Sequence, residues 1–248
     1  MLFDVTLFSD GSNIQRKPKG HLYLYPLIAI AAMLAIVFVM DLPHMHKPKQ
    51  QLSQTIRIPA GQRAQMDLPD GSVVWLNSQT TLTYDENFGK KDRKVTLDGE
   101  AYFEVAHNKE IPFYVQTENI KVQVTGTKFD VCSYKGSNSF IARLIEGSIN
   151  LLTNNAKEEK PITSLTKGKY FSMENGKYKT GEMSSNNALA WMQGIYYFDD
   201  VPFKELLDKI ALYYNYKITV KNPKILENYR CTGKFKDLDG IEHILKVI

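Results

Sequence analysis

The chain has 248 residues, of which 43% are hydrophobic, 23% charged and 11% aromatic, which is too apolar for intrinsic disorder and enough for one large or two modest domains. Its formal net charge of +4 is spread among mixed acidic and basic residues, and no basic run interleaved with aromatics argues for a nucleic-acid partner. Two cysteines, Cys132 and Cys231, are too few for a disulfide framework and form no zinc pattern; they read as small buried hydrophobes, with a bridge between them the alternative.

In chain order, residues 1–21 form a short tail carrying Arg16, Lys17 and Lys19. Residues 22–40, "LYLYPLIAIAAMLAIVFVM", then run without a charge. As a helix they reach about 28 Å, close to the hydrocarbon thickness of a bilayer. Positive charge precedes this run and Asp41 follows it, so the amino end is expected inside and the bulk of the chain outside. The alternative, a cleaved signal peptide, needs a shorter apolar core and a small-x-small site, and "FVMDLPHMHK" offers none. Residues 41–54 read as a polar linker, in which His44-x-His46 is a weak metal signal.

Residues 55–183 alternate short β-patterned runs with turns. "SVVWLN", "RKVTL", "EAYFEVA", "PFYVQT", "IKVQV", "KFDVCSY", "FIARLI", "SINLL" and "KYFSM" show period-two patterning, and Asp98-Gly99, Glu146-Gly147, Lys167-Gly168 and Asn175-Gly176 read as turns. The spacing predicts an all-β, sandwich-like domain. Residues 184–248 change texture to strand, helix, strand, with Phe203, Leu206, Leu207, Ile210, Ala211 and Tyr214 on one helical face. "YRCTGKF" is another strand, and an amphipathic helix from Ile241 stops at Ile248 without a cap. The predicted fold class is thus a single transmembrane helix, an all-β domain and a small α/β domain that is expected to be incomplete.

No H-E-x-x-H, G-x-S-x-G, P-loop or G-x-G-x-x-G motif is present. Glu100 and Glu104 share one strand face but lie about 13 Å apart along it, against about 5 to 9.5 Å for hydrolytic carboxylate pairs, so they read as solvated edge charges. Trp75 in "VVWLN" fits a core position better than a sugar platform. No cofactor and no metal site are expected, and the chain reads as non-enzymatic.

In order, "IPAGQRAQMDLPDGSVVWLNSQTTLTY", "VTLDGEAYFEVAHNKEIPFYV", "KVQVTGTKFDVCSY" and "LIEGSINL" resemble the periplasmic region of FecR-like anti-sigma factors. The stretch beginning "WMQGIYYFDDVPFKELL" resembles that family's small C-terminal domain. The resemblance implies a single-pass inner-membrane signal transducer. Its periplasmic partner would be the signalling domain of a TonB-dependent outer-membrane transporter, and its cytoplasmic partner an ECF sigma factor. The α/β piece resembles the short signalling domain of such transporters and of secretins, whose strand edges suit β-augmentation. Family members carry a helical sigma-binding segment of several tens of residues, whereas only 21 residues precede the apolar run here. The alternative reading is therefore a membrane-anchored periplasmic protein-binding module lacking a sigma partner.

Some FecR-like proteins cut themselves at a Gly-Thr bond matching Gly126-Thr127. A threonine hydroxyl can attack the preceding carbonyl, given a proton acceptor, and Lys128, Asp130 and His107 are the candidates. The other reading makes Gly126 a β-bulge that re-aims its strand.

Overall fold

A computed structural model describes residues 24–45, 52–90, 92–155, 159–183 and 186–247. They fall into two units that divide at Gln50/Gln51, each described by itself.

The first unit contributes one helix, α1 (Leu24–Met45), which runs five residues past the expected end of the apolar segment into the stretch read as linker. Pro26 lies in its first turn, where no backbone N–H is lost from the ladder. Side chains are described for Pro26 and residues 28–38, and all are exposed, including Ile28, Met33, Leu34 and Phe38. Among the described residues no helix is long and apolar enough to cross a membrane. The expectation of a helix holds from Leu24, and that of a crossing is not carried by these residues alone. The tail 1–21, residues 22–23 and His46 lie outside the described residues.

The second unit is mostly β. One sheet contains β1 (Ser53–Arg57), β4 (Thr81–Asp85), the first half of β5 (Arg93–Glu104), β6 (Phe113–Gln116), β7 (Ile120–Val124), β10 (Ser148–Thr153) and β11 (Pro161–Thr166). The other contains β2 (Ala64–Asp67), β3 (Val73–Leu76), the second half of β5, β8 (Lys128–Ser133), β9 (Ser139–Glu146), β12 (Lys169–Glu174) and β13 (Lys177–Glu182). Pairing is antiparallel except between β5 and β6. Hairpins alternate between the sheets from β6 onward, so the chain turns a corner at residues 125–127, at Gly147 and at Gly168.

The inward faces supply the core: Val74, Leu76, Phe103, Phe129 and Leu144 from one sheet meet Val95, Phe113, Val122, Ile149 and Leu151 from the other. Phe103 stacks on Phe129 at 5.1 Å and meets Phe113 edge-on at 5.9 Å. These side chains alternate with outward ones, the pattern a sandwich requires. The sandwich expectation holds, with one correction. Asp98-Gly99 is not a turn between two strands but the kink at which β5 passes from one sheet to the other. A Cβ on Gly99 would sit 2.6 Å from the Cα of Thr80, so only glycine lets the two segments approach.

Past a 3₁₀ turn (Asn186–Gln193) comes a small lobe of β14 (Ile195–Pro202), α2 (Phe203–Tyr214), α3 (Lys224–Asn228), β15 (Arg230–Lys236) and α4 (Ile241–Val247). Its core is Phe198, Leu206, Ile210 and Ile244. The expected strand over "KITV" does not form, and among the described residues β14 pairs only with β15, across a register shift between Phe198 and Val201. Tyr213, missed by the helical-face assignment, is buried on α2 because it faces the sandwich.

Candidate functional site

Gly126-Thr127 is neither mid-strand nor in a bulge. It is the corner between β7 and β8, and the register shift lies instead at Lys128/Phe129 of the β8–β9 pair. Thr127 is buried and its hydroxyl donates to Ser148 O at 3.0 Å. The carbonyl of Thr127 accepts from Val105 N (3.0 Å) and that of Thr125 from Asn108 N (2.7 Å), tying the corner to the loop after β5. Gly147, in the next corner, packs beneath: a Cβ there would lie 2.9 Å from Thr127 Oγ1 and 3.0 Å from Gly126 O.

His107 covers the other side. A Cβ on Gly126 would fall 2.4 Å from His107 Nδ1 and 2.9 Å from His107 Cα, so glycine is demanded by this contact. The loop carrying His107 is fixed by Arg93, a buried residue whose guanidinium donates to Ile111 O (2.7 Å), Ala106 O (2.7 Å), Asn108 O (3.0 Å) and Asp70 (3.2 Å). Of the three candidate proton acceptors, the fold brings His107 to the bond. Lys128 is committed to Glu104 at 3.4 Å, and Asp130 is buried against Arg143 at 2.5 Å.

Asp130 belongs to a second arrangement, on the outer face of the β2–β3–β5–β8–β9–β12–β13 sheet. There Trp75, Tyr102, Asp130, Arg143 and Tyr170 stand in register, with Glu100 and Cys132 in the next row. The C-terminal lobe docks over this face. The last turn of an α-helix leaves carbonyls unpaired, and here the sandwich supplies their donors. Tyr213 O accepts from Gly61 N (2.9 Å) and Ser78 Oγ (2.8 Å), and Leu212 O accepts from the Gln79 amide. Tyr213 Oη donates to Gly61 O (3.0 Å), Tyr196 Oη to Asn77 Oδ1 (3.2 Å), and Arg63 pairs with Asp237 at 2.6 Å.

Between sheet and lobe lies a cleft of about 370 Å³, lined by Glu100, Arg143 and several aromatic rings. Arg143 is shared between Asp130 and, at 3.7 Å, Glu100. Burial and the nearby Glu100 push the Asp130 carboxyl up to about 7, against the downward pull of Arg143. The Arg143 pKa is raised, because Asp130 and Glu100 outweigh the opposing effect of burial. Burial, reinforced by Glu100, also pushes the Tyr134 hydroxyl above its usual range. Asp130 Oδ1 and Trp191 Nε1 are both buried without a hydrogen-bond partner.

Three expectations need correction here. Glu100 is not a solvated edge charge, since its side chain is 15% exposed and accepts from Asn77 Nδ2 at 2.6 Å; Glu104, at 35%, is closer to that description. Trp75 is half-buried on the outer face, edge-on to Tyr102 at 5.5 Å, rather than in the core. Both cysteines are free and only partly buried. Arg143 and Trp191 escaped the sequence reading. Their signal is alternation alone, which places Asp130 and Arg143 outward and cannot say that a second lobe covers that face.

Comparisons with known proteins agree in their order along the chain. The family model described as FecR protein matches residues 54–150, and that described as FecR, C-terminal, matches residues 195–248. Two crystal structures of a protein proposed to be an anti-sigma factor, from Parabacteroides distasonis ATCC 8503, are similar at 25% identity and a TM-score of 0.68. The 2.50 Å structure covers 79% of this chain and 90% of its own, and the 1.65 Å structure 78% and 89%. No curated protein matches the chain.

Proposed function

Since the chain belongs to the FecR family, we propose that it is a signal transducer of the anti-sigma type, anchored in the inner membrane by residues 22–40. Its amino end lies in the cytoplasm and its sandwich and C-terminal lobe in the periplasm. The lobe receives the signalling domain of a TonB-dependent outer-membrane transporter, and the cytoplasmic end acts on an ECF sigma factor. The observation that carries this reading is the order of parts: an apolar helix with its described side chains exposed, then the two family regions in sequence. A helix apolar on all sides needs an apolar surround. The uncharged run of residues 22–40 would reach about 28 Å as a helix, close to the hydrocarbon thickness of a bilayer. Basic residues on its amino side set the orientation. For the transporter, the two-stranded β14–β15 sheet offers strand edges, which suit β-strand addition.

The reading is tested in membranes from the native host. The full chain, captured by a carboxyl-terminal tag after cross-linking, is expected to bring down one ECF sigma factor and one outer-membrane transporter. Deleting the chain is expected to change transcription from that sigma factor's promoters. Recovery of the transporter without a sigma factor, and with transcription unchanged, overturns the anti-sigma role and leaves a periplasmic binding module.

We further propose that Gly126-Thr127 cuts itself once. Thr127 Oγ attacks the Gly126 carbonyl carbon, the hydroxyl proton passes through a base to the Thr127 nitrogen, and the amide becomes an ester. Water then hydrolyses the ester to a Gly126 carboxylate and a chain beginning at Thr127. The proximity of His107 to Gly126 supports it as the proton carrier. Mass spectrometry of the purified chain is expected to show a fragment starting at Thr127 that vanishes in Thr127→Ala. An uncut wild-type chain, or the same fragment from T127A, removes the proposal.

A further inference from the structure

The cleft between the sandwich and the C-terminal lobe has the size of a small-ligand pocket and the usual place for one, at a junction between lobes. Its walls carry the rings of Tyr134, Tyr170, Trp191, Tyr196 and Tyr213. Tyr196 and Tyr213 meet edge-on at 4.9 Å, which leaves ring faces to line a cavity. Its charge is unbalanced. Glu100, Glu182 and Asp199 line it and Asp130 lies behind Arg143, so four carboxylates face two bases, Arg143 and Lys209. Lys209 is already paired with Glu205 at 2.9 Å. This local excess of negative charge stands within a chain whose formal net charge is +4.

We infer that this cleft binds a small organic cation, an ammonium group seated on the aromatic rings and neutralising the surplus carboxylate of the Glu100–Arg143–Asp130 cluster. Rings hold such cations through the electron-rich ring face, and desolvation strengthens the attraction. An anion finds no free partner, because the guanidinium of Arg143 is shared between two carboxylates. A neutral ligand leaves the surplus charge in place. Behind the cleft wall the Asp130 carboxyl is fully buried, between Arg143 and the Trp191 indole. The groups facing Asp130 are Arg143 on β9, Glu100 and Tyr102 on β5, Cys132 on β8 itself and Trp191 on the 3₁₀ turn. Among them Arg143 is the sole base; burial, reinforced by Glu100, raises the Asp130 pKa, and a proton there removes one of the charges that a bound cation would neutralise. Cation and proton therefore compete.

The test uses the full chain in detergent, titrated with choline and with its uncharged isostere 3,3-dimethylbutan-1-ol, and followed by tryptophan fluorescence and calorimetry. Choline is expected to bind saturably and about ten-fold more tightly than the isostere. Its affinity is expected to rise several-fold from about pH 6 to about pH 8, as Asp130 gives up its proton. Glu100→Gln, which keeps an acceptor for Asn77, is expected to weaken choline by about five-fold or more. Should that variant melt early, Asp199→Asn on the exposed rim carries the test, with a loss of about two-fold. Equal binding of both probes, no saturation by either at about pH 8, or choline affinity unmoved by both substitutions overturns the inference.

Discussion

A missing methyl group at Gly126 decides whether the corner and the loop after β5 can meet. Alanine there must displace not only the imidazole of His107 but its Cα, which a side-chain rotation cannot move. Overpacking of this kind costs about 1–3 kcal/mol. Urea denaturation of Gly126→Ala is expected to show a loss in that range, and His107→Ala in the same background to recover only part of it, since the backbone contact persists. An unchanged midpoint for G126A means that the loop and corner do not pack as described. The same geometry bears on the cutting of Gly126-Thr127, because the residue that forbids a side chain at Gly126 is also the proposed proton carrier.

Among the elements, β5 does most to place the candidate site. Its first half builds one sheet and its second half the other, and Arg93 at its start gathers three carbonyls of the following loop. Arg93→Met removes every one of those donors, leaving the three carbonyls without them and the buried Asp70 carboxylate with Ser72 but no countercharge. The expected cost is about 3–5 kcal/mol, with hydrogen exchange at residues 105–111 accelerated more than in the core strands. Uniform acceleration throughout the sandwich argues instead for a general packing defect. The strands themselves were legible in the sequence because alternation is a local property: Val122 and Val124, or Phe129 and Val131, announce their faces without knowledge of partners. The kink at Gly99 was not, because glycine after aspartate is also the common signature of a turn, and only the approach of Thr80 tells the two apart. Arg93 reads as an ordinary surface base until the carbonyls that surround it are known.

For the molecule as a whole, docking of the C-terminal lobe turns an outward face into an interior. Asp130 and Arg143 occupy positions that a lone sandwich would leave in water, and that is why their role could not be read from strand patterning. Burial also makes the docked state sensitive to pH. A carboxyl whose folded pKa lies above its unfolded value, here about 7 against 3.8, binds its proton more tightly when folded. Its stabilising contribution is complete below the unfolded value and is lost as pH rises to about 7. Thermal melts of the wild-type chain are therefore expected to lose stability attributable to this group between pH 4 and 7, and Asp130→Asn to flatten that part of the profile. If D130N keeps the wild-type slope, Asp130 is not the group that titrates.

The alternation of hairpins between the two sheets also sets how the molecule would carry force. Residues before Gly126 and residues after it are interleaved: β5 pairs with β8, and β7 with β10. A chain opened at the corner would not fall apart, since each piece holds strands that complete the other's sheets. It would instead be a two-part fastener. Tension between the amino-terminal helix and the C-terminal lobe would then pass through no covalent bond, only through those two ladders, the core between them and the contacts that seat the lobe. Held by non-covalent contacts alone, such a joint stays closed at rest and parts under a steady pull.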